Sequence, residues 1–169
     1  MQPFVIPLNG LTQGGTQFDW RAGKQFFGSF DNSEILDADL EVAVHVEKAS
    51  RFFGVDCTVR GSVTVPCDRC LEALELPVDT GFSLSIKFGE EASCADAGDR
   101  EIVMVSEDSA EFDLAQYVYD YVCVSLPLRR VHPDGECNPE VLKYLGAETV
   151  ADRTPVSGSP FAALKDLLK

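Results

Sequence analysis

The residues of this chain best suited to chemistry are two cysteines separated by two residues, Cys67-Asp68-Arg69-Cys70. Two thiolates at that spacing in a turn can point at one metal ion, as in a zinc knuckle. The same spacing supports dithiol redox chemistry when it opens a helix whose N-terminus lowers the thiolate pKa. Here the pair sits between two alternating apolar runs, so it joins strands and that helical assistance is missing. A pair is also only half a zinc site. The other ligands would have to come from His132 and Cys137, in the loop Val131-His132-Pro133-Asp134-Gly135-Glu136-Cys137, whose Pro and Gly let it be shaped. A structural zinc on Cys67, Cys70, His132 and Cys137 is therefore one expectation. Two ordinary turn cysteines without metal is the plainer reading, and the one the residues alone favour.

Arg129 and Arg130 are the one adjacent basic pair. With Arg69 and His132 they make a candidate spot for contact with RNA or another anion. A solvated loop whose arginines pair with nearby acids is the alternative, and the preferred one. Cys57 and Cys123 lie in apolar patterns and read as small buried hydrophobes, while Cys94 lies in a polar loop. His45 falls on the polar face of a strand and reads as a surface residue. Signatures of catalysis are poor: there are two histidines, no Gly-rich phosphate loop after a strand and no Gly-x-Ser-x-Gly elbow. Paired carboxylates are plentiful in an acid-rich chain and carry no specificity. No catalytic residue is assigned.

The elements that must position these side chains fall into two halves. Leu40, Val42, Val44 and Val46 alternate with polar residues, as do Val55, Cys57, Val59, Gly61, Val63 and Val65, and both read as half-buried strands. Leu74, Leu76 and Val78 continue the pattern, Phe82, Leu84, Ile86 and Phe88 give another strand, and 102–105 a last one. Upstream, Val5 to Leu8 is apolar, Gly14-Gly15 marks a turn, and Phe18, Trp20, Phe26 and Phe27 supply aromatic filling to a hairpin region. After residue 111 the period changes to helical, with Leu114, Val118, Tyr121, Val122 and Ser125 on one stripe, Asp113 as N-cap, Gln116 three residues on, and Pro127 as the stop. Asn138-Pro139 opens a second helix carrying Val141, Leu142 and Leu145, ended by Gly146, and Ser159-Pro160 opens a third using Phe161, Leu164, Leu167 and Leu168. The fold class expected is α+β, an antiparallel β meander packed by C-terminal helices, as a single domain over 1–169 that is strand-rich over 1–106 and helical over 111–169.

Composition bounds the rest. At 169 residues, 45% hydrophobic and 25% charged, the chain has material for one core and is unlike a disordered tail. No apolar run approaches the ~20 residues that cross a bilayer, and Met1-Gln2-Pro3-Phe4-Val5-Ile6-Pro7 has neither a basic n-region nor a long apolar h-region, so a cytoplasmic location is expected. In that reducing compartment six cysteines do not imply disulfides. The net charge of −14, with nine acids and one arginine (−8) over residues 89–113, argues against a broad phosphate-gripping face. A basic protein partner, with at most local RNA contact, fits better. Solubility alone would also account for it.

With these features in order, the chain resembles the YceD family, the large ribosomal RNA subunit accumulation proteins. The resemblance rests on Phe26-Phe27, on Ile35 to Val42, on Gly61-Ser62-Val63-Thr64-Val65-Pro66 followed by Cys67-Asp68-Arg69-Cys70-Leu71-Glu72, on Phe112-Asp113-Leu114 through Ser125-Leu126-Pro127-Leu128, and on Ser159 to Leu168. It implies a role in the synthesis, processing or stability of large-subunit (23S) ribosomal RNA, with no established enzymatic activity and no small-molecule substrate. Some family members carry a second cysteine pair after the Leu-Pro helix, which would complete a four-thiolate zinc site. Here His132 and Cys137 stand in that region. The helix also replaces the family's usual acidic run with Val118-Tyr119-Asp120-Tyr121-Val122, a face suited to burial or a protein partner. A ribosomal or rRNA-processing protein is the partner class this suggests. The rival readings are a small zinc- or thiol-dependent enzyme centred on Cys67 and Cys70, and a plain protein-interaction domain.

Overall fold

A computed structural model describes residues 4–11, 14–31, 33–49, 52–89 and 100–145. Its centre is a five-stranded sheet ordered β2-β3-β4-β5-β6. Strands β2 (Gly15–Gly23), β3 (Asp37–Lys48), β4 (Phe52–Pro66) and β5 (Ala73–Phe88) form the expected antiparallel meander. The β3–β4 and β4–β5 ladders run without a register slip, from Asp37↔Thr64 to Lys48↔Phe53 and from Phe52↔Lys87 to Pro66↔Ala73. Valines at every second position make this possible, because β-branched side chains pack well on a pleated, half-buried surface. Leu40, Val42, Val44, Val46, Val55, Val59, Leu84 and Ile86 are all buried on one face. Each such side chain contributes about 1.5–3 kcal/mol of burial.

Two features of the sheet differ from expectation. Leu74–Val78 and Phe82–Phe88 belong to one sixteen-residue strand rather than two. Asp79, Thr80 and Gly81 look like a turn, but Gly81 lies flat in the ladder where a Cβ would come within 2.8 Å of the Cys57 carbonyl oxygen. The last strand, β6 (Glu101–Val105), pairs with β5 in parallel, from Leu84↔Glu101 to Phe88↔Val105. Parallel pairing needs a connection of about a dozen residues, which residues 89–100 provide in length.

The core face is closed by short elements from both ends of the chain. Strand β1 (Val5–Pro7) pairs with β7 (Glu111–Asp113), a 3-10 turn follows at Leu8–Gly10, and α1 (Lys24–Phe27) inserts Phe26 and Phe27. Helix α2 (Ala115–Ser125) lies against β5 and buries Val118 and Val122 completely. Tyr121 stacks on Phe82 with centroids 4.4 Å apart, and Tyr119 on Phe30 at 4.1 Å. The apolar face of this helix is therefore core. The helix begins later than its stripe implies, because Glu111–Asp113 is held as strand by β1 (Val5↔Asp113, Ile6↔Phe112). Leu114 occupies the N-cap position; Asp113 Oδ1 accepts from the Ala115 N–H at 2.8 Å, and Gln116 donates to Asp120 instead of closing a capping box. Helix α3 (Pro139–Leu145) starts as expected, Asn138 Oδ1 accepting from the Glu140 N–H at 2.9 Å. Gly146, the terminal helix expected over 159–168, and Cys94 lie outside the described residues.

Gly61 shows how tightly the ladders are drawn. Its φ is +143°, and a Cβ there would sit 2.1 Å from the Asp39 carbonyl oxygen on β3. Gly61→Ala is expected to cost about 2 kcal/mol or more, read as a lower urea midpoint with an unchanged slope.

Candidate metal centre

β4 ends at Pro66, and the chain reverses through Cys67-Asp68-Arg69-Cys70 before β5 begins at Ala73. The reversal is closed by Leu71 N–H donating to the Cys67 carbonyl at 2.9 Å and Cys67 N–H to the Glu72 carbonyl at 2.8 Å. Leu71 adopts φ +61°, a left-handed conformation unusual for a branched residue, and its side chain is exposed. That conformation turns the chain back after Cys70. Backbone N–H groups of Cys70, Arg69 and His132 are directed at the Cys67 sulfur, and those of Asn138 and Glu72 at Cys70.

The loop following α2 is fastened onto this turn from the other side. Asp68 and Arg130 exchange two bonds: Asp68 N–H donates to the Arg130 carbonyl at 2.7 Å, and Arg130 N–H to Asp68 Oδ2 at 2.6 Å. The Arg130 guanidinium bridges to Glu34 at 2.7 Å. Arg69 Nη2 donates to the His132 carbonyl at 2.6 Å, and Asn138 Nδ2 to Glu72 Oε1 at 2.7 Å. Cys67, Cys70 and Cys137 are buried in a small cluster with Leu74, against which Val131, Val141 and Leu142 pack.

As a result, three sulfurs and one imidazole nitrogen converge. The ligand atoms of Cys67, Cys70, His132 and Cys137 all lie within 4.8 Å of one another. Cys67 Sγ is 3.9 Å from Cys137 Sγ; His132 Nδ1 is 3.4 Å from Cys70 Sγ and 3.9 Å from Cys137 Sγ. The sulfurs are far beyond a ~2.05 Å disulfide bond, and these cysteines are free thiols. A tetrahedral ion with metal–sulfur bonds of ~2.3 Å sets its sulfurs ~3.8 Å apart, so the spacing suits a four-coordinate metal. His132 Nε2 lies 3.1 Å from the Ala73 carbonyl oxygen. A carbonyl only accepts, so Nε2 carries the proton and Nδ1 offers its lone pair to the cluster, the orientation a metal-ligating histidine takes from its outer partner.

The electrostatics divide the four groups: Cys67 and Cys70 are biased toward thiolate, Cys137 and His132 toward their protonated forms. Burial opposes ionisation of Cys67, but the N–H groups aimed at its sulfur hold the thiol down at about 5. Cys70 is lowered by the N–H groups of Asn138 and Glu72, against burial. Cys137 is raised, by burial first and then by the two neighbouring sulfurs. His132 is raised by its hydrogen bond with Cys67, burial opposing. Cys57, by contrast, is pushed up to about 12 by burial, as an inert core thiol should be. Cys123 is half-buried against the core.

The arginines of the candidate anion spot have different fates. Arg69 and Arg130 direct their guanidiniums at intramolecular partners, Asp134 at 3.8 Å in addition to the His132 carbonyl for the first, Glu34 and Asp68 for the second. Arg129 is exposed. What the residue pattern did not disclose is the fastening: Asp68 inside the cysteine turn, Glu34 on the segment before β3, and the Ala73 carbonyl.

An α+β domain whose buried Cys₃His cluster could hold a metal ion is the class that fold and site define. A family model described as large ribosomal RNA subunit accumulation protein YceD matches residues 55–168, from near the start of β4 through both halves of the cluster. That is more than half of the 169 residues, and the chain belongs to this family. No curated protein and no solved structure matches it.

If the Asp68 carboxylate seats the second half-site against the first, Asp68→Ala lowers zinc affinity roughly 10- to 100-fold, as loss of an outer-shell partner does. Competition with a chromophoric chelator measures it.

Proposed function

We propose that this chain is a non-enzymatic accessory factor in the accumulation of large-subunit ribosomal RNA, acting by binding, and that a structural zinc holds its binding surface together. Family membership supports the ribosomal role. The observation that carries the binding mechanism is the closed donor set: four protein ligands, three of them buried cysteines, with nothing left open for a substrate. Catalytic zinc sites keep one position for water or substrate, and structural sites fill all four. Cys67, Cys70, His132 and Cys137 would hold the ion, which supplies a cross-link of defined geometry. What it joins are two loops distant in sequence.

Those loops carry exposed groups fit for contact. Leu71 and Leu128 are 77% and 105% exposed, and Arg129 stands beside Leu128. A net charge of −14 disfavours a broad grip on phosphate. The partner fitting this surface is a basic ribosomal or rRNA-processing protein, with Arg129 the residue placed for local RNA contact. Such a role belongs in the cytoplasm, and no helix among the described residues is long and apolar enough to cross a membrane.

In-cell crosslinking with identification of both protein and RNA is expected to recover large-subunit precursor particles with the native chain. Cys67→Ser should reduce that recovery at least several-fold while the sheet persists by circular dichroism. Recovery of no ribosomal or rRNA-processing component at low salt would contradict the role. Turnover of a small metabolite that depends on Cys67 and Cys70 would favour the enzyme reading instead.

A further inference from the structure

Among the described residues the sheet is open along β2 on one side and along β6 and the first part of β5 on the other. β6 pairs only with Leu84–Phe88, which leaves the first part of β5 as an edge. There Pro77 removes an amide, and the exposed Glu75 and Asp79 add charge. These are ordinary devices against unwanted strand pairing. β2, the other edge, lacks the proline, and its exposed charges, Asp19 and Arg21, are of opposite sign rather than alike. Its nine residues contain no proline and no lysine. Its register against β3 runs from Gly15↔Glu47 to Gly23↔Asp39 without a bulge. Its inward side chains, Thr16, Phe18, Trp20 and Ala22, carry no charge. Among the described residues β2 pairs with β3 alone. Phe18 and Trp20, stacked with centroids 5.5 Å apart, face the core and yet stay half-buried, and among the described residues no strand lies beyond them.

We infer that β2 is a homodimer interface, joining two copies edge to edge across a twofold axis at Trp20 into one ten-stranded sheet. Symmetric antiparallel pairing keeps inward face with inward face only if the axis passes through a residue. Placed at Trp20, it sets Asp19 opposite the partner's Arg21, and Arg21 opposite the partner's Asp19, on the outer face. On the inner face Phe18 meets the partner's Ala22, large against small. Moving the axis one residue either way sets Asp19 or Arg21 against its own copy, a like-charge pair. The strand is therefore charge-complementary to itself in one register. Glu41 already holds Arg21 at 3.0 Å on the outer face, so the arginine would sit between two carboxylates. Asp37, Asp39, His45 and Glu47 are the other ionisable groups of β3 on that face.

Light scattering coupled to size exclusion of the full chain at micromolar concentration is expected to give twice the 18.4 kDa chain mass. Asp19→Arg and Arg21→Asp each place like charges opposite one another at two symmetric positions and should weaken the dimer roughly tenfold or more. The double exchange restores the pairing and the dimer. Both side chains are exposed, so the monomer fold survives each change, which circular dichroism checks. A monomeric native chain would overturn the proposal, as would a dimer indifferent to the single exchanges, or a double variant as weak as the singles.

Discussion

Three sulfurs and an imidazole nitrogen held within 4.8 Å of one another are a donor set that one divalent cation could satisfy at once. Five backbone N–H groups aimed at two of the sulfurs favour their thiolate forms, and the third thiol is raised by burial first and then by its two sulfur neighbours. Like charges this close together repel. A divalent cation converts that repulsion into attraction. The remaining structure in this region follows from the need to hold the four groups in place: the left-handed Leu71, the reciprocal Asp68–Arg130 bonds, and the Ala73 carbonyl fixing the His132 tautomer.

The rest of the molecule is a platform for that cross-link. β4 and β5 are fifteen and sixteen residues long, paired over their whole shared length, and they deliver the cysteine turn at one end of the sheet. α2, clamped by Val118, Val122 and its stacked tyrosines, delivers the loop with His132 and Cys137. Neither needs the metal to form, because each is set by apolar burial against the same core. What a metal would add is the join between a turn and a loop more than sixty residues apart, where hydrophobic contact is limited to a few residues around Leu74.

Much of this is legible in the residues, for identifiable reasons. β3 and β4 declare themselves because apolar residues at every second position, over seven positions in one and eleven in the other, admit no helical reading. β5 does not, since Gly81 imitates a turn while serving a close approach to Cys57. The direction of β6 is invisible in five residues, and a stripe cannot reveal that Glu111–Asp113 belongs to β1 before the helix begins. The four ligands were nameable from their types. The join between them was not, because residue types alone favour unliganded turn cysteines. What brings them together is tertiary: the Asp68–Arg130 exchange and the Arg69 bond to the His132 carbonyl. The same contacts turn two residues of the apparent anion spot inward, as their charge alone could not foretell.

The central claim is that Cys67, Cys70, His132 and Cys137 bind one zinc ion as a closed tetrahedron. X-ray absorption at the zinc edge, on protein purified with its native metal and assayed for stoichiometry, tests it most directly. The account predicts one zinc per chain with three sulfurs at ~2.3 Å and one nitrogen at ~2.0–2.1 Å. A chain that binds no stoichiometric zinc, or a shell in which water oxygen replaces any of these four ligands, would contradict it.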